Sequence, residues 1–265
     1  MVLIHPSLKH LLDHLSEAVD NNWDGVALID GMEGSGKSGL GMLSCYYVDR
    51  TFNIDRIVFT PDQFMEAVDK AKVGEAILWD EFVTGGMSTD FMSEIQKALV
   101  MKMTMIRRKR LFILWIMPYY FIVGRYFAVA RSRFLLHAYT PDGIVRGTFK
   151  TWNYDRKRLM YFRGRKEFDY CIEPYSKGTF PDFFSTNPNV INEKLYDDKK
   201  EAATLAINNQ ETNPKMKKLM LGFANLVKLI RKRTSITPKE ISQAAGYSRN
   251  WIYQITGDKE NEQED

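Results

Sequence analysis

The sequence predicts an α/β fold: a mainly parallel central sheet covered by helices, an edge β-hairpin, and a small all-α domain towards the C-terminal end. Three observations predict it. Short apolar runs at 25–30, 56–60, 75–81, 111–117 and 133–139 alternate with segments of helical periodicity, the order expected of parallel strands buried on both faces. The first run, "GVALID", passes directly into the glycine-rich "GMEGSGKS" and then into a helical pattern. The stretch 215–257 loses the strand pattern and reads as helical and basic.

Taken in order, residues 5–22 carry an apolar stripe at Leu8, Leu11, Leu12, Leu15 and Val19, which predicts an amphipathic helix. A strand at 25–30 leads into the glycine loop, and a helix follows from Lys37 to about Tyr47. "RIVFT" (56–60) is the second strand. Thr60 and Pro61 are a cap and a first helical residue for "TPDQFMEAV". "EAILWDE" (75–81) is a third strand, apolar until it ends in two acids. Residues 89–106 read as a helix with Phe91, Ile95, Leu99 and Met103 on one side. "LFILWIM" (111–117) and "RFLLHAY" (133–139) are the fourth and fifth strands. The alternation in 143–164, around "NYDRKR", predicts a β-hairpin at the sheet edge. Periodicity weakens from Glu173 to about Lys215, which reads as an arm or linker. The expected domains are therefore 1–174, a linker 175–214, a helical domain 215–257, and an acidic tail 258–265.

With 265 residues, 45% hydrophobic and 13% aromatic, the chain can bury a core for one α/β domain and a small appendage. Its two cysteines, Cys45 and Cys171, lie far apart and form neither a CxxC pair nor a disulfide framework, which fits a reducing compartment. The longest charge-free run, 111–124, is too short to span a bilayer. No membrane is expected as a partner, and the expected location is the cytoplasm of a bacterial, archaeal or virus-infected host cell. The net charge of +4 hides two basic blocks. Residues 97–166 hold 17 Lys/Arg against two acids (+15), and 215–257 hold nine against one (+8). Two such surfaces point to a polyanion; a solvated, salt-bridged face is the plainer alternative.

Gly31-Met32-Glu33-Gly34-Ser35-Gly36-Lys37-Ser38 fits G-x-x-x-x-G-K-[ST] in full. In this motif, the P-loop, glycines let backbone N–H groups curl round a phosphate. Lys37 would supply charge to the β/γ-phosphates, and the Ser38 hydroxyl would ligate Mg²⁺. The helix opening at Lys37-Ser38-Gly39 would add its positive end. Glu33, Ser35 and Gly39 complete the expected cradle. Asp80 would hold Mg²⁺ through water, and Glu81 would orient and deprotonate an attacking water; a capping role at a strand end is the alternative for the pair. The expected ligands are thus ATP and Mg²⁺, and the expected fold a P-loop NTPase with its acid strand beside the loop. A γ-phosphate also needs a positive charge during cleavage, often an arginine from a neighbouring subunit. Arg131 and Arg133 are the preferred candidates; an exposed DNA-facing or sheet-edge role is the alternative for each.

The order of these parts — glycine loop, apolar strand ending "WDE", helix ending "IRRKR", apolar strand "LFILWIM", then arginines — resembles the additional-strand P-loop ATPases typified by FtsK and HerA. That group includes viral genome-packaging and zonula occludens toxin-like phage ATPases. The resemblance covers roughly residues 20–140. It implies a ring of six or five subunits passing double-stranded DNA, with nucleotide at subunit boundaries and a viral portal or capsid protein as a further partner. Family members place a polar sensor, usually Gln, at the end of the fourth strand, where this chain has Met117-Pro118; Thr84 or Ser88 could substitute.

Arg107, Arg108, Lys109 and Arg110 exceed what one helix end needs to offset its dipole, and Arg156, Lys157 and Arg158 extend the set. All seven are candidate phosphate contacts. Farther on, "TPKEISQAAGYSRNWIYQITG" has helix-turn-helix spacing around Gly246, with Thr237 and Pro238 starting the first helix. The second helix would offer Arg249, Asn250, Tyr253 and Gln254 to a DNA groove; a helical hairpin for protein contacts is the alternative. The leading expectation is a DNA-dependent ATPase that translocates or packages DNA. The others are an ATP-switched DNA-binding regulator and a small-molecule phosphotransferase, against which the acid pair and the C-terminal domain both count.

Overall fold

A computed structural model describes residues 3–81, 89–210, 222–223, 225–230 and 236–245. The chain divides into two compact units, 1–205 and 206–265. The first is α/β, built on a seven-stranded sheet in the order β2-β3-β4-β1-β5-β6-β7. Its strands are β1 (Gly25–Asp30), β2 (Ile57–Val58), β3 (Ala76–Trp79), β4 (Phe112–Ile116), β5 (Leu135–Tyr139), β6 (Thr148–Trp152) and β7 (Ser176–Thr179). The first five run parallel; β6 and β7 add on antiparallel beyond β5.

Both faces of the sheet are covered, which is why its central strands are apolar throughout. In β1, Ala27 and Ile29 face one core; Val26 and Leu28 face the other. The first core is filled by α1 (Pro6–Asp20), α2 (Lys37–Val48), the short α6 (Phe183–Thr186) and α7 (Glu193–Gln210). The second is filled by α3 (Pro61–Lys70), α4 (Thr89–Arg108) and α5 (Tyr154–Gly164). Helix α1 buries Leu8, Leu11, Leu12, Leu15 and Val19, the stripe read from sequence. Helix α3 begins at Pro61 with the Thr60 hydroxyl accepting from the Gln63 N–H, a Thr cap with Pro at the first position.

Strand β4 lies between β1 and β3 and pairs with both over most of their length. One strand, β4, therefore separates the acid-bearing strand from the loop-bearing strand.

The hairpin expected around "NYDRKR" is also corrected. Those residues start α5, with the Asn153 side chain accepting from the Arg156 N–H. Lys157, Met160, Tyr161 and Gly164 are buried, an i, i+3, i+4, i+7 face. The antiparallel edge is instead made by β5, β6 and β7. The segment expected to be a linker supplies β7, α6 and most of α7 to the first unit.

In the second unit, α8 (Pro238–Ala245) starts where the sequence placed it. Thr237 and Glu240 cap it reciprocally: the Glu240 carboxylate accepts from the Thr237 N–H at 2.8 Å, and the Thr237 hydroxyl accepts from the Glu240 N–H at 3.3 Å. Val227 and Ile241 are buried against Phe223. Arg249, Asn250, Tyr253 and Gln254 lie outside the described residues, as do Thr84 and Ser88. Among the described residues, no helix is long and apolar enough to cross a membrane.

Candidate functional site

The parallel strands end at one edge of the sheet, and the site is built there. β1 stops at Asp30 and the chain turns through 31–36, with positive φ at Gly31 (139°), Gly34 (76°) and Gly36 (93°). Gly31 has no alternative: a Cβ would sit 2.0 Å from the Ala138 carbonyl oxygen of β5. Helix α2 then starts at Lys37 and lies close across the sheet, because Gly41 presents no side chain. A Cβ there would meet Leu78 of β3 at 2.8 Å and Ile116 of β4 at 2.9 Å. This close crossing carries the start of α2 from β1 over β4 to the end of β3, so Ser38 Oγ donates to Asp80 Oδ2 at 2.8 Å although a strand intervenes.

The loop's polar groups are turned inward. Lys37 Nζ donates to the Gly31 and Met32 carbonyls, at 2.8 Å each. Burial pulls the Lys37 ammonium down from its ordinary pKa, against the opposing pull of Asp80, Asp30 and Glu33. Ser35 is 1% exposed and its hydroxyl finds no partner among the described residues; an orphaned buried hydroxyl is costly. Behind the loop, Asp30 is fully buried. It accepts from the Tyr120 N–H at 3.0 Å and from the Tyr170 hydroxyl, and pairs with His137 Nδ1 at 2.9 Å.

Asp80 is 1% exposed, whereas Glu81, next to it, is exposed and sits in the left-handed region at φ 65°. Two side chains of α7, not singled out in the sequence, reach these acids. The Tyr196 hydroxyl donates to Asp80 Oδ2. Lys200 Nζ lies 2.9 Å from Glu81 Oε1 and 3.9 Å from Asp80 Oδ2. Burial, then the Asp80 charge, push the Tyr196 pKa up strongly, so it stays a donor. Burial opposes charge on Lys200, but Asp80 and Glu81 outweigh it and hold its pKa above the usual value. The signal for both was the helical i, i+4 spacing of Tyr196 and Lys200 in "LYDDKK". Arg146, also missed, lies over the loop: a Cβ on Gly34 would come within 3.8 Å of its Nη2.

These residues fit a nucleoside phosphate and a hard divalent cation. The glycine turn, the orphaned Ser35 hydroxyl and Lys37 match phosphate oxygens. A hydroxyl and a carboxylate in contact, with no soft ligand, match Mg²⁺, which keeps several waters. No cluster of three His, Cys, Asp or Glu suited to a metal occurs among the described residues. Glu33 lies within this loop and Gly39 just after the motif, backing onto Phe183. Met117 ends β4 fully buried and brings no polar side chain to the site.

The other predicted residues lie elsewhere. Arg131 and Arg133 precede β5, and Arg107–Arg110 precede β4, so both groups stand at the edge where the parallel strands begin. That edge is some 15–20 Å from the loop across strands of this length. Arg131 is committed to its own chain: both terminal nitrogens hold Asp24, which is 1% exposed. Lys109 Nζ donates to the Val68, Asp69 and Ala71 carbonyls at the end of α3. Lys157 is fully buried and donates to the Ala128 and Val129 carbonyls. These three are structural cations rather than surface contacts, which corrects the expectation for each. Arg133 and Arg107 stay exposed and flank Trp23, at 5.2 and 5.1 Å from its ring centre. Arg108 and Arg158 are exposed and Arg110 is half-buried. Arg156 is exposed but donates to the Glu173 and Pro174 carbonyls.

No family model and no curated protein matches the chain at significant similarity.

Proposed function

We propose that the protein is a P-loop ATPase whose ATP hydrolysis is coupled to double-stranded DNA. The observation that carries this reading is the Ser38–Asp80 contact at 2.8 Å, closed across β4, with Lys37 beside it and Glu81 next in sequence. Lys37 would hold the β/γ-phosphate oxygens, Ser38 and Asp80 would hold Mg²⁺, and Glu81 would take the proton of the attacking water. Mg²⁺, when bound, supplies Lewis-acid charge to the phosphate oxygens.

DNA enters the proposal through Arg107, Arg108, Arg110, Arg156 and Arg158, and through a C-terminal helix-turn-helix whose first helix would be α8. A neighbouring subunit would contribute Arg133, in a ring of five or six that packages or translocates DNA. The test is ATP turnover with and without duplex DNA at low salt. Turnover rises several-fold with DNA and disappears in Lys37→Ala; turnover indifferent to DNA contradicts the coupling. A second reading, an ATP-switched DNA-binding regulator without directional movement, is favoured by the buried, apolar Met117 at the sensor position. Stimulated turnover that never displaces a protein roadblock on DNA would select it.

A further inference from the structure

Among the described residues, Lys200 of α7 pairs with Asp80 and Glu81, while Lys37 of the loop feels the Asp80 charge. The cation on α7 is held very differently from its neighbours. Tyr196, one turn earlier, is buried between the rings of Phe59 and Phe184, at 5.8 and 5.7 Å. Lys199 Nζ donates to the Ile54 and Ile57 carbonyls at 2.8 and 2.7 Å. These contacts pin α7 against β2 and the acid strand. Among the described residues, Lys200 instead forms ion pairs with Glu81 and Asp80, with side chains 34% exposed on its own part and 47% on that of Glu81. Partly exposed pairs of this kind are weak and exchange readily.

We propose that Lys200 is a terminal-phosphate contact of the nucleotide site. It pairs with Glu81 and Asp80 in this structure and would turn to the terminal phosphate of a bound nucleoside triphosphate. The proposal rests on the nucleotide reading above. Asp80 Oδ2 is the shared atom: Ser38 Oγ stands 2.8 Å from it on one side and Lys200 Nζ 3.9 Å on another. Lys200 therefore sits one carboxylate away from the residue that follows Lys37. A cation bound by Ser38 and Asp80 would repel the ammonium from Asp80. The added phosphate charge would then offer it a stronger partner than an exposed carboxylate. Moving Lys200 also frees Glu81 to act on water.

The test is equilibrium binding of Mg·ADP and of a non-hydrolysable Mg·ATP analogue to the full chain and its Lys200→Gln and Lys200→Arg variants. In Lys200→Gln the triphosphate affinity falls by about tenfold or more while the diphosphate affinity stays within about twofold; Lys200→Arg keeps most of the difference. Equal weakening of both nucleotides would mean that Lys200 only supports α7 and would overturn the proposal. So would an unchanged or increased triphosphate affinity, since Lys200 would then only tether Glu81. If the unaltered protein binds neither nucleotide, the nucleotide reading falls as well; if it binds both and Lys200→Gln is silent, this inference falls alone.

Discussion

Both edges of the parallel sheet carry charged side chains and use them in opposite ways. Where the strands end, charges meet a glycine turn held at positive φ, a buried hydroxyl with no partner among the described residues, and an exposed acid paired with an exchangeable lysine. Where the strands begin, several charges are already spoken for. Arg131 is locked on buried Asp24, and Lys109 closes three carbonyls of α3. The comparison teaches that charge density alone does not make a site. What marks one is polar capacity left unused by the fold.

That contrast can be broken by substitution. At the strand ends, activity should fail while stability holds. Glu81→Gln should cut ATP turnover by roughly 10²-fold or more and leave the melting temperature essentially unchanged, since the exposed Glu81–Lys200 pair contributes little to folding. At the strand starts the reverse is expected. Arg131→Ala strands a buried carboxylate and should cost about 3–5 kcal/mol in denaturant unfolding. A neutral outcome there would mean that Asp24 is not held charged by Arg131.

Lys157 sharpens the comparison through pH. Burial without an acid partner pushes its pKa from 10.5 down to about 7. The folded state therefore binds fewer protons than the unfolded state between about pH 7 and 10.5. Stability from this group should rise as pH rises through that window, by an amount on the order of a few kcal/mol. Lys157→Met should flatten the dependence, and urea midpoints at pH 7 and 9.5 for both proteins measure it. A smaller effect is expected at Lys109: losing its caps on α3 in Lys109→Ala should cost about 1–2 kcal/mol. The smallest is at Arg108, exposed at the end of α4. Arg108→Ala should change stability by less than about 0.5 kcal/mol, while the slope of log DNA affinity against log salt falls by about one.

Much of this was legible in the sequence because local signals agreed with the fold. The stripe in α1, the caps at Thr60 and Thr237, the apolar strands and the glycine loop each follow from a single short-range rule. What stayed hidden required long-range placement or a misleading residue type. Helix α5 was hidden because one of its four buried positions is a lysine, so its face did not read as apolar. Tyr196 and Lys200 were hidden because α7 is mostly polar, and their value comes from Asp80 and Glu81, which lie more than a hundred residues earlier. Arg131 looked like a free arginine because its partner, Asp24, stands just before β1, more than a hundred residues earlier.

The central claim is that Lys37, Ser38 and Asp80 form one Mg²⁺-dependent triphosphate site. Calorimetric titration of ATP into the Glu81→Gln protein, with and without Mg²⁺, tests it most directly. The account predicts one ATP per chain, bound much more tightly with Mg²⁺, and a Mg²⁺ effect that is lost on adding Ser38→Ala. ATP binding that is absent, or the same with and without the metal, would contradict it.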